Sequence, residues 1–207
     1  MRSYKQYCGV ARALDLVGQR WALLIVRDLL PGPRRFADLA LPGLTPNVLS
    51  ERLKQLAEAG LVESVTLPAP ASRKVWQLTE EGRRLEPVVL ALGAFGARHL
   101  STVDGYAMRA RWMLVSLQRR YRGGIEGTVA IVVEGEAEAP YTLGITPEHL
   151  VVRDGMPASP DLRVSGPPQA LGALLARGIR EVPGLAITGD PALLEALLAR
   201  LDPVSPP

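Results

Sequence analysis

Residues 43–60, with the sequence GLTPNVLSERLKQLAEAG, contain the clearest structural pattern in the first half of the chain. Thr45 is a favourable N-cap, and Pro46 takes the first helical position, where its missing N–H costs nothing. Leucines recur at i, i+4 and i+7 and form one apolar stripe, at Leu49, Leu53 and Leu56. Gly60 follows as a residue that ends the helix. The stretch therefore predicts an amphipathic helix whose other face is polar.

A shorter amphipathic segment, residues 34–41 (RRFADLAL), precedes this helix, and a Pro-Gly turn at 42–43 joins the two. Two short helices with a tight glycine turn are typical of a helix-turn-helix, whose second helix enters the major groove of DNA. An ordinary helical hairpin within a core is the alternative, because periodicity alone does not separate the two.

The pattern after the helix changes to that of a β-hairpin. Residues 61–67 and 73–78 are predicted strands, and the Pro-rich segment 68–72 is the loop between them. A hairpin directly after a recognition helix is typical of the wing of a winged helix. Arg73 and Lys74, where the second strand begins, are suited to the DNA backbone, although such charges also occur on a solvated hairpin.

Candidate DNA contacts fall into two groups. Base reading is predicted for Asn47, Ser50 and Lys54, because asparagine suits adenine N6 and N7, and lysine suits guanine O6 and N7. Phosphate contacts are predicted for cations of the two helices and the wing, namely Arg34, Arg35, Arg52, Arg73 and Lys74. Thr45 at the helix start completes the predicted interface. Each arginine has the alternative of a solvated face.

Residues 4–100 resemble the HxlR family of bacterial winged-helix transcriptional regulators. The resemblance rests on Cys8 a dozen residues before Gln19-Arg20-Trp21, on RRFADL, on LSERLKQLAEAGLV (49–62) and on KVWQLTEEGRRLEPV (74–88). It implies a homodimeric DNA-binding regulator that is joined through its terminal helices and acts near its own operator. A dimer of this kind reads two half-sites, so the double-stranded DNA operator is expected to be pseudo-palindromic.

Cys8 has two interpretations. It is the only cysteine of the chain, so no disulfide framework exists. A small buried hydrophobe at a helix start is the favoured interpretation. The resemblance offers the other, because some HxlR-type regulators use a cysteine here to sense oxidants or electrophiles. Arg12, one turn along, would then lower the pKa of the thiol, and any disulfide would involve another subunit or a small thiol. Gly9 follows Cys8 where the family usually has proline.

Further helices are predicted at residues 9–17, at 19–30, where Leu24 is among the inward-facing side chains, and at 79–100, where Pro87 should kink or split the helix. The first of these should place Val10, Ala13, Leu14 and Val17 on one side. The last contains more apolar surface than an outer helix needs, at Val88, Val89, Leu90, Leu92, Phe95 and Leu100. A homodimer interface is its natural use.

The sequence of the second half predicts a helix over 104–121, with Arg111 and Arg120 among the residues on its exposed faces. A mostly antiparallel sheet with two helices is predicted to follow. Its runs PDLRVSGPPQALGALLARG (160–178) and LAITGDPALLEALLARL (185–201) resemble the sterol carrier protein type 2 (SCP2) fold. The resemblance implies an apolar tunnel for a lipid or hydrophobic small molecule, with a lining at Trp112, Met113, Leu117, Leu171, Leu175, Leu194 and Leu198. A filled core explains these apolar faces equally well.

Charge and composition narrow the function classes. Residues 1–100 contain 14 basic and 9 acidic side chains, whereas residues 101–207 contain 10 and 12, so the basic half is the predicted DNA-binding half. The sequence shows no metal-ligand spacing, no phosphate-binding glycine loop and no nucleophile motif, so we expect neither an enzyme nor a metal or other cofactor. It also shows no signal peptide and no apolar run of membrane length, which predicts a cytoplasmic protein without membrane contact.

The sequence therefore predicts an α+β protein, with a winged helix-turn-helix domain at 1–101 and an SCP2-like α/β domain at 102–207. The leading hypothesis is a dimeric transcriptional regulator, expected to be a repressor, that responds to a hydrophobic effector. The alternative is a lipid carrier whose winged helix serves dimerisation or protein contact. A third hypothesis keeps DNA binding and treats the second domain as a dimer brace with a filled core.

Overall fold

The computed structural model describes residues 3–68, 73–100, 109–135 and 140–203. The chain divides into two compact units, residues 1–89 and residues 90–207. The domain boundary at 101–102 that the sequence predicted lies outside the described residues. No helix in the described ranges is both long and apolar enough to cross a membrane.

The first unit is a winged helix-turn-helix, as predicted. Its elements are α1 (Gly9–Val17), α2 (Ala22–Leu29), a 3-10 helix (Phe36–Leu39), α3 (Pro46–Glu58), β1 (Val62–Thr66), β2 (Lys74–Leu78) and α4 (Glu80–Arg83). The two strands form an antiparallel hairpin in which Val62 lies opposite Leu78. The leucine stripe of α3 is fully buried, so the amphipathic pattern of the helix fixes which face packs inward.

Helices α1 and α2 differ from the sequence prediction. Helix α2 begins at Ala22, because Trp21 has a left-handed backbone with φ 81°. Its buried face contains Ala22, Ile25, Val26 and Leu29 at helical spacing, and Leu24, which was predicted to face inward, is 40% exposed. On α1, Val10, Ala13 and Leu14 of the predicted apolar side are exposed, whereas Val17 is buried.

Pro87 splits the predicted helix 79–100 as expected. Helix α4 ends at Arg83, and α5 (Glu86–Ala97) begins just before the proline. Proline is tolerated there because the first N–H groups of a helix have no intrahelical partner. Helix α5 is mostly apolar, yet Ala97 is its only buried residue.

The second unit is a five-stranded sheet with helices. Beyond its part of α5, its elements are α6 (Ala110–Arg120), β3 (Gly127–Val133), β4 (Tyr141–Ile145), β5 (Leu150–Asp154), β6 (Leu162–Gly166), α7 (Pro168–Arg177), β7 (Ala186–Gly189) and α8 (Pro191–Ala199). The strand order is β5-β4-β3-β6-β7. Three of the four pairings are antiparallel, as predicted, and β3 pairs with β6 in parallel. The part of the predicted helix at 104–108 lies outside the described residues.

Two arginines of α6 lie inside this unit, so the prediction that they mark exposed faces is wrong. Arg111 and Arg120 are 1% and 3% exposed. The guanidinium of Arg120 donates from Nε to the carbonyl of Asp202 at 2.7 Å and from Nη1 to the carbonyl of Leu175 at 2.9 Å. Arg120 therefore connects the end of α6 to α7 and to the segment after α8.

Replacing Arg120 by methionine is expected to lower the free energy of unfolding by about 2–3 kcal/mol, because buried carbonyls lose a charged donor. Urea denaturation followed by circular dichroism measures the change. The matched control is Arg122→Met, because Arg122 is half-exposed and its ion pair with Asp202 is 3.4 Å long. The control should cost less than about 1 kcal/mol. Equal losses in the two variants would contradict the connecting role of Arg120.

Candidate nucleic-acid interface

The start of α3 is fixed by local interactions. The hydroxyl of Thr45 accepts a hydrogen bond from the amide of Val48 at 3.4 Å, and Pro46 is the first helical residue. Gly43, in the turn before the helix, has φ +78°, a conformation that glycine adopts without strain. A Cβ atom at this position would lie 3.7 Å from the Trp21 indole. The turn before α3 therefore lies close to the indole ring of Trp21.

The outward face of α3 carries all three predicted base-reading side chains. Asn47, Ser50 and Lys54 are exposed within the first three turns of the helix. Lys54 makes an ion pair with Glu58 at 3.9 Å, and both side chains are more than half exposed, so this pair contributes at most about 0.5 kcal/mol. Long polar side chains near the start of such a helix suit base edges in the major groove.

Arg52 points in a different direction from these three residues. Its Nε donates to the backbone carbonyl of Arg20 at 3.2 Å, and its Nη1 donates to the side-chain carbonyl of Gln55. The Arg20 guanidinium lies 4.8 Å from the centroid of the Trp21 indole. A left-handed backbone at a bulky residue such as Trp21 costs about 1–2 kcal/mol. The contacts of Arg52 and Arg20 connect this strained residue to α3.

The two arginines before the 3-10 helix differ in exposure. Arg34 is 7% exposed, and its backbone exchanges hydrogen bonds of 2.8 and 2.7 Å with Trp76 of β2. Arg35 is half-exposed and pairs with Asp38 at 2.9 Å. Hydrogen bonding to Asp38 and its charge raise the pKa of Arg35. Partial burial raises the pKa of Asp38, but hydrogen bonds from Arg35 and its charge outweigh burial, and the net shift is downward.

The wing presents its two predicted cations to solvent. Arg73 and Lys74 are exposed, and the amide of Leu67 donates to the carbonyl of Arg73 at 3.0 Å, which closes the hairpin. Lys74 lies opposite Thr66. The loop residues 69–72 lie outside the described residues. Arg73 and Lys74 of the wing are thus exposed, and Arg35 is exposed although it pairs with Asp38. Arg34 is buried, and Arg52 makes hydrogen bonds within the unit.

Comparison with known proteins shows which family the sequence of this chain matches. The profile of the HxlR-like helix-turn-helix family matches residues 16–104. YvaP, an HTH-type transcriptional regulator of Bacillus subtilis, is 41% identical over 80 residues, which are 38% of this chain and 74% of YvaP.

The chain belongs to the HxlR-like helix-turn-helix family.

Other proteins are also similar to this chain. The HTH-type transcriptional regulator Rv3095 of Mycobacterium tuberculosis is 40% identical over 103 residues, which are 49% of this HxlR-family chain. The chain spans 65% of the length of the mycobacterial relatives it matches. The solved structure of the reduced form of the transcriptional regulator YodB from Bacillus subtilis is 31% identical, with a TM-score of 0.40 over 48% of this chain and 100% of YodB.

Most residues of the predicted ligand-tunnel lining belong to the hydrophobic core of the second unit. Four of these leucines are buried, namely Leu117, Leu171, Leu175 and Leu194. Trp112 is half-buried, and Met113 and Leu198 are half-buried side chains that pack against the same core cluster. In the described ranges no group of three His, Cys, Asp or Glu side chains is arranged to hold a metal ion.

A cleft of about 640 Å³ in the second unit has a different, polar lining. It lies where β3 and β6 begin and β4 ends, with Glu126, Asp161 and Asp190 among its residues. Asp161 accepts from the amide of Thr128 at 2.7 Å, and Asp190 caps α8. None of the predicted apolar lining residues contributes to this cleft.

Cys8 is exposed, so the favoured interpretation as a buried hydrophobe is wrong. The residue stands at the N-cap of α1, and its side chain makes no capping hydrogen bond. The backbone amides of Ala11 and Val10 nevertheless face the sulfur and lower the pKa of the thiol. A partly positive helix start stabilises the thiolate, which is the reactive form.

The Cys8 thiol should therefore react with iodoacetamide at a lower pH than a cysteine in an unstructured peptide. A lowered pKa means that the thiolate already forms below the ordinary midpoint, so the pH–rate profile shifts towards acid. Mass spectrometry of the alkylated chain, which has no other cysteine, measures this shift. The same profile after unfolding in urea is the control, and identical midpoints in the two states would contradict the effect of the helix start.

Proposed function

We propose that this chain is a bacterial transcriptional regulator that binds double-stranded DNA as a homodimer. The observation that carries the proposal is the outward face of α3. In the described part of the chain, Asn47 and Ser50 make no side-chain hydrogen bond, so both remain available to base edges. Membership of the HxlR-like family supports the same role. Binding to the bacterial chromosome would place the protein in the cytoplasm.

The homodimer is supported by apolar side chains that face solvent on two helices. On α5, Val88, Leu92 and Phe95 lie on one face and are 48%, 53% and 63% exposed. On α1, Val10 and Leu14 form another such face. Since only one residue of the apolar helix α5 is buried, the exposed apolar side chains are expected to pack against another surface. A second copy of this chain would bury them and would also supply the second recognition helix. Half-sites would then lie about 34 Å apart.

Repression is the regulatory outcome that we propose. A dimer bound across a promoter excludes other proteins from the same DNA, so repression needs no additional contact. The three exposed cations Arg35, Arg73 and Lys74 would hold the dimer on the phosphate backbone, and the readers on α3 would select the site.

The second unit is proposed to have an SCP2-like architecture. Its support is the sheet order β5-β4-β3-β6-β7 with one parallel pair and the leucine-rich helices α7 and α8. A hydrophobic effector would have to enter among the core leucines, next to the half-buried Met113 and Trp112. The burial of those leucines equally supports a brace with a filled core.

Genomic capture tests the DNA-binding proposal. The purified chain is incubated with sheared DNA of its source organism, and the retained fragments are sequenced. We expect a small number of enriched sites that share a two-fold symmetric motif. The paired variant Asn47→Ala with Lys54→Ala, confirmed as folded by circular dichroism, should lose this enrichment. Retention of random fragments by both proteins would contradict the proposal.

Titration with cis-parinaric acid, a fluorescent fatty acid, separates the proposed roles of the second unit. Saturable uptake that releases the protein from its enriched site supports an effector domain. Uptake by a protein that does not bind DNA supports a lipid carrier. An unchanged melting temperature at saturating fatty acid concentrations supports the brace.

A further inference from the structure

One acidic side chain occupies the middle of the face that α3 would present to DNA. Asn47, Glu51 and Lys54 follow one another at i, i+4 and i+7, and all three are exposed. This row is shifted by two residues from the buried leucine stripe, which corresponds to about 200° around the helix. Glu51 therefore lies opposite the core, between two predicted base-reading residues.

A chain of hydrogen bonds holds Glu51 in place. The backbone carbonyl of Arg20 accepts from Arg52, and Arg52 donates to the Gln55 side-chain oxygen. Because this bond fixes the Gln55 amide, its nitrogen faces Glu51 and donates to Oε1 at 2.6 Å. The other carboxylate oxygen, Oε2, has no hydrogen-bond partner in the described ranges, so it can accept one from a ligand.

The carboxylate of Glu51 restricts which groups of the DNA can contact this position in the major groove. Phosphates repel it, and thymine and guanine present only acceptors or a methyl group there. Adenine presents an amino group beside the acceptor N7, which repels the carboxylate. Cytosine presents the N4 amino group as its hydrogen-bonding group in the major groove. Cytosine is therefore the base whose major-groove edge matches Glu51.

We propose that Glu51 selects a cytosine in each half-site by accepting a hydrogen bond from its N4 amino group, with Arg52 and Gln55 as positioning residues. This inference rests on the proposed function, because it requires α3 to enter the major groove. It adds a base assignment and a mechanism of orientation to that function.

Selection from a randomised duplex library tests the assignment. The wild-type chain and the variants Glu51→Gln, Glu51→Ala and Glu58→Gln are each allowed to enrich binding sites. The wild type should prefer cytosine by about tenfold at one position of each half-site. Glu51→Gln should change this preference to adenine, because glutamine pairs with N6 and N7 of adenine, and Glu51→Ala should abolish it. The remaining positions of the motif should not change.

Glu58→Gln is the matched control. It removes one carboxylate from the end of the same helix, where Glu58 pairs with Lys54, and should keep the cytosine preference. If Glu51→Gln enriches the wild-type motif, the Glu51 carboxylate does not select a base and the inference is wrong. If the folded wild-type protein enriches no motif, the proposed function itself is wrong. These two failures are therefore distinguishable.

Gln55→Met tests the positioning residues. The variant removes the amide that holds Glu51 but keeps a side chain of similar length. It should reduce the cytosine preference several-fold at an unchanged melting temperature. A full cytosine preference in Gln55→Met would contradict the role of the hydrogen-bond chain.

Discussion

Replacing Phe95 by glutamate is expected to separate the proposed dimer and to weaken binding to the two-fold symmetric DNA site by more than about a hundredfold. Phe95 is the most exposed of the large apolar side chains on α5, at 63%. In a symmetric dimer each substitution appears twice, so two carboxylates would replace two apolar rings in the interface. The monomers would then bind half-sites one at a time, without the gain in effective concentration that a dimer provides.

Analytical ultracentrifugation and DNA titration measure the two effects on the same protein preparation. Ala94→Glu is the matched control, because Ala94 is exposed on a different face of α5 and receives the same charge. The control should remain dimeric and bind normally. A Phe95→Glu variant that remains a dimer with full DNA affinity would show that α5 is not the interface.

Replacing Lys54 by alanine is expected to weaken specific binding by about tenfold or more per half-site, with a much smaller effect on random DNA. Lys54 lies on the outward face of α3, and its ion pair with Glu58 at 3.9 Å is too weak to hold it away from a base. The loss should be greatest at the position of the motif that Lys54 reads. Asn47→Ala should act in the same way at a neighbouring position.

Competition titrations with specific and random duplexes measure this difference. The control is Arg163→Ala, which removes one exposed positive charge from β6 in the second unit. If Lys54→Ala and the control weaken both kinds of DNA equally, Lys54 contributes only charge. Its assignment as a base-reading residue would then be wrong.

Local sequence signals were sufficient to predict the recognition helix and the hairpin. Helix α3 follows from a cap, a first-turn proline, a leucine stripe and a final glycine, all of which act within a few residues. The split at Pro87 follows from the missing N–H of proline. The mostly antiparallel sheet of the second unit was predicted, but its one parallel pair was not, because the contact of β3 with β6 depends on how the chain returns after β5.

Interactions between distant residues explain what the sequence did not predict. Arg34 was predicted to contact phosphate, but it is buried, and its backbone pairs with Trp76. Arg120 was predicted to be exposed, but carbonyls 55 and 82 residues away bind its guanidinium. The exposure of Cys8 depends on which face of α1 packs inward. Glu51 could have been identified, since its spacing from Asn47 and Lys54 is visible in the sequence.

Fluorescence anisotropy with one captured DNA site, measured over a range of salt concentrations, tests the central claim that this chain is a sequence-specific DNA-binding protein. Three exposed cations per subunit, Arg35, Arg73 and Lys74, predict about six phosphate contacts per dimer. The logarithm of the binding constant should then fall with the logarithm of salt concentration with a slope of about −5. Binding should also be at least about a thousandfold tighter than to random DNA. A slope near zero, or equal affinity for both DNAs, would contradict the claim.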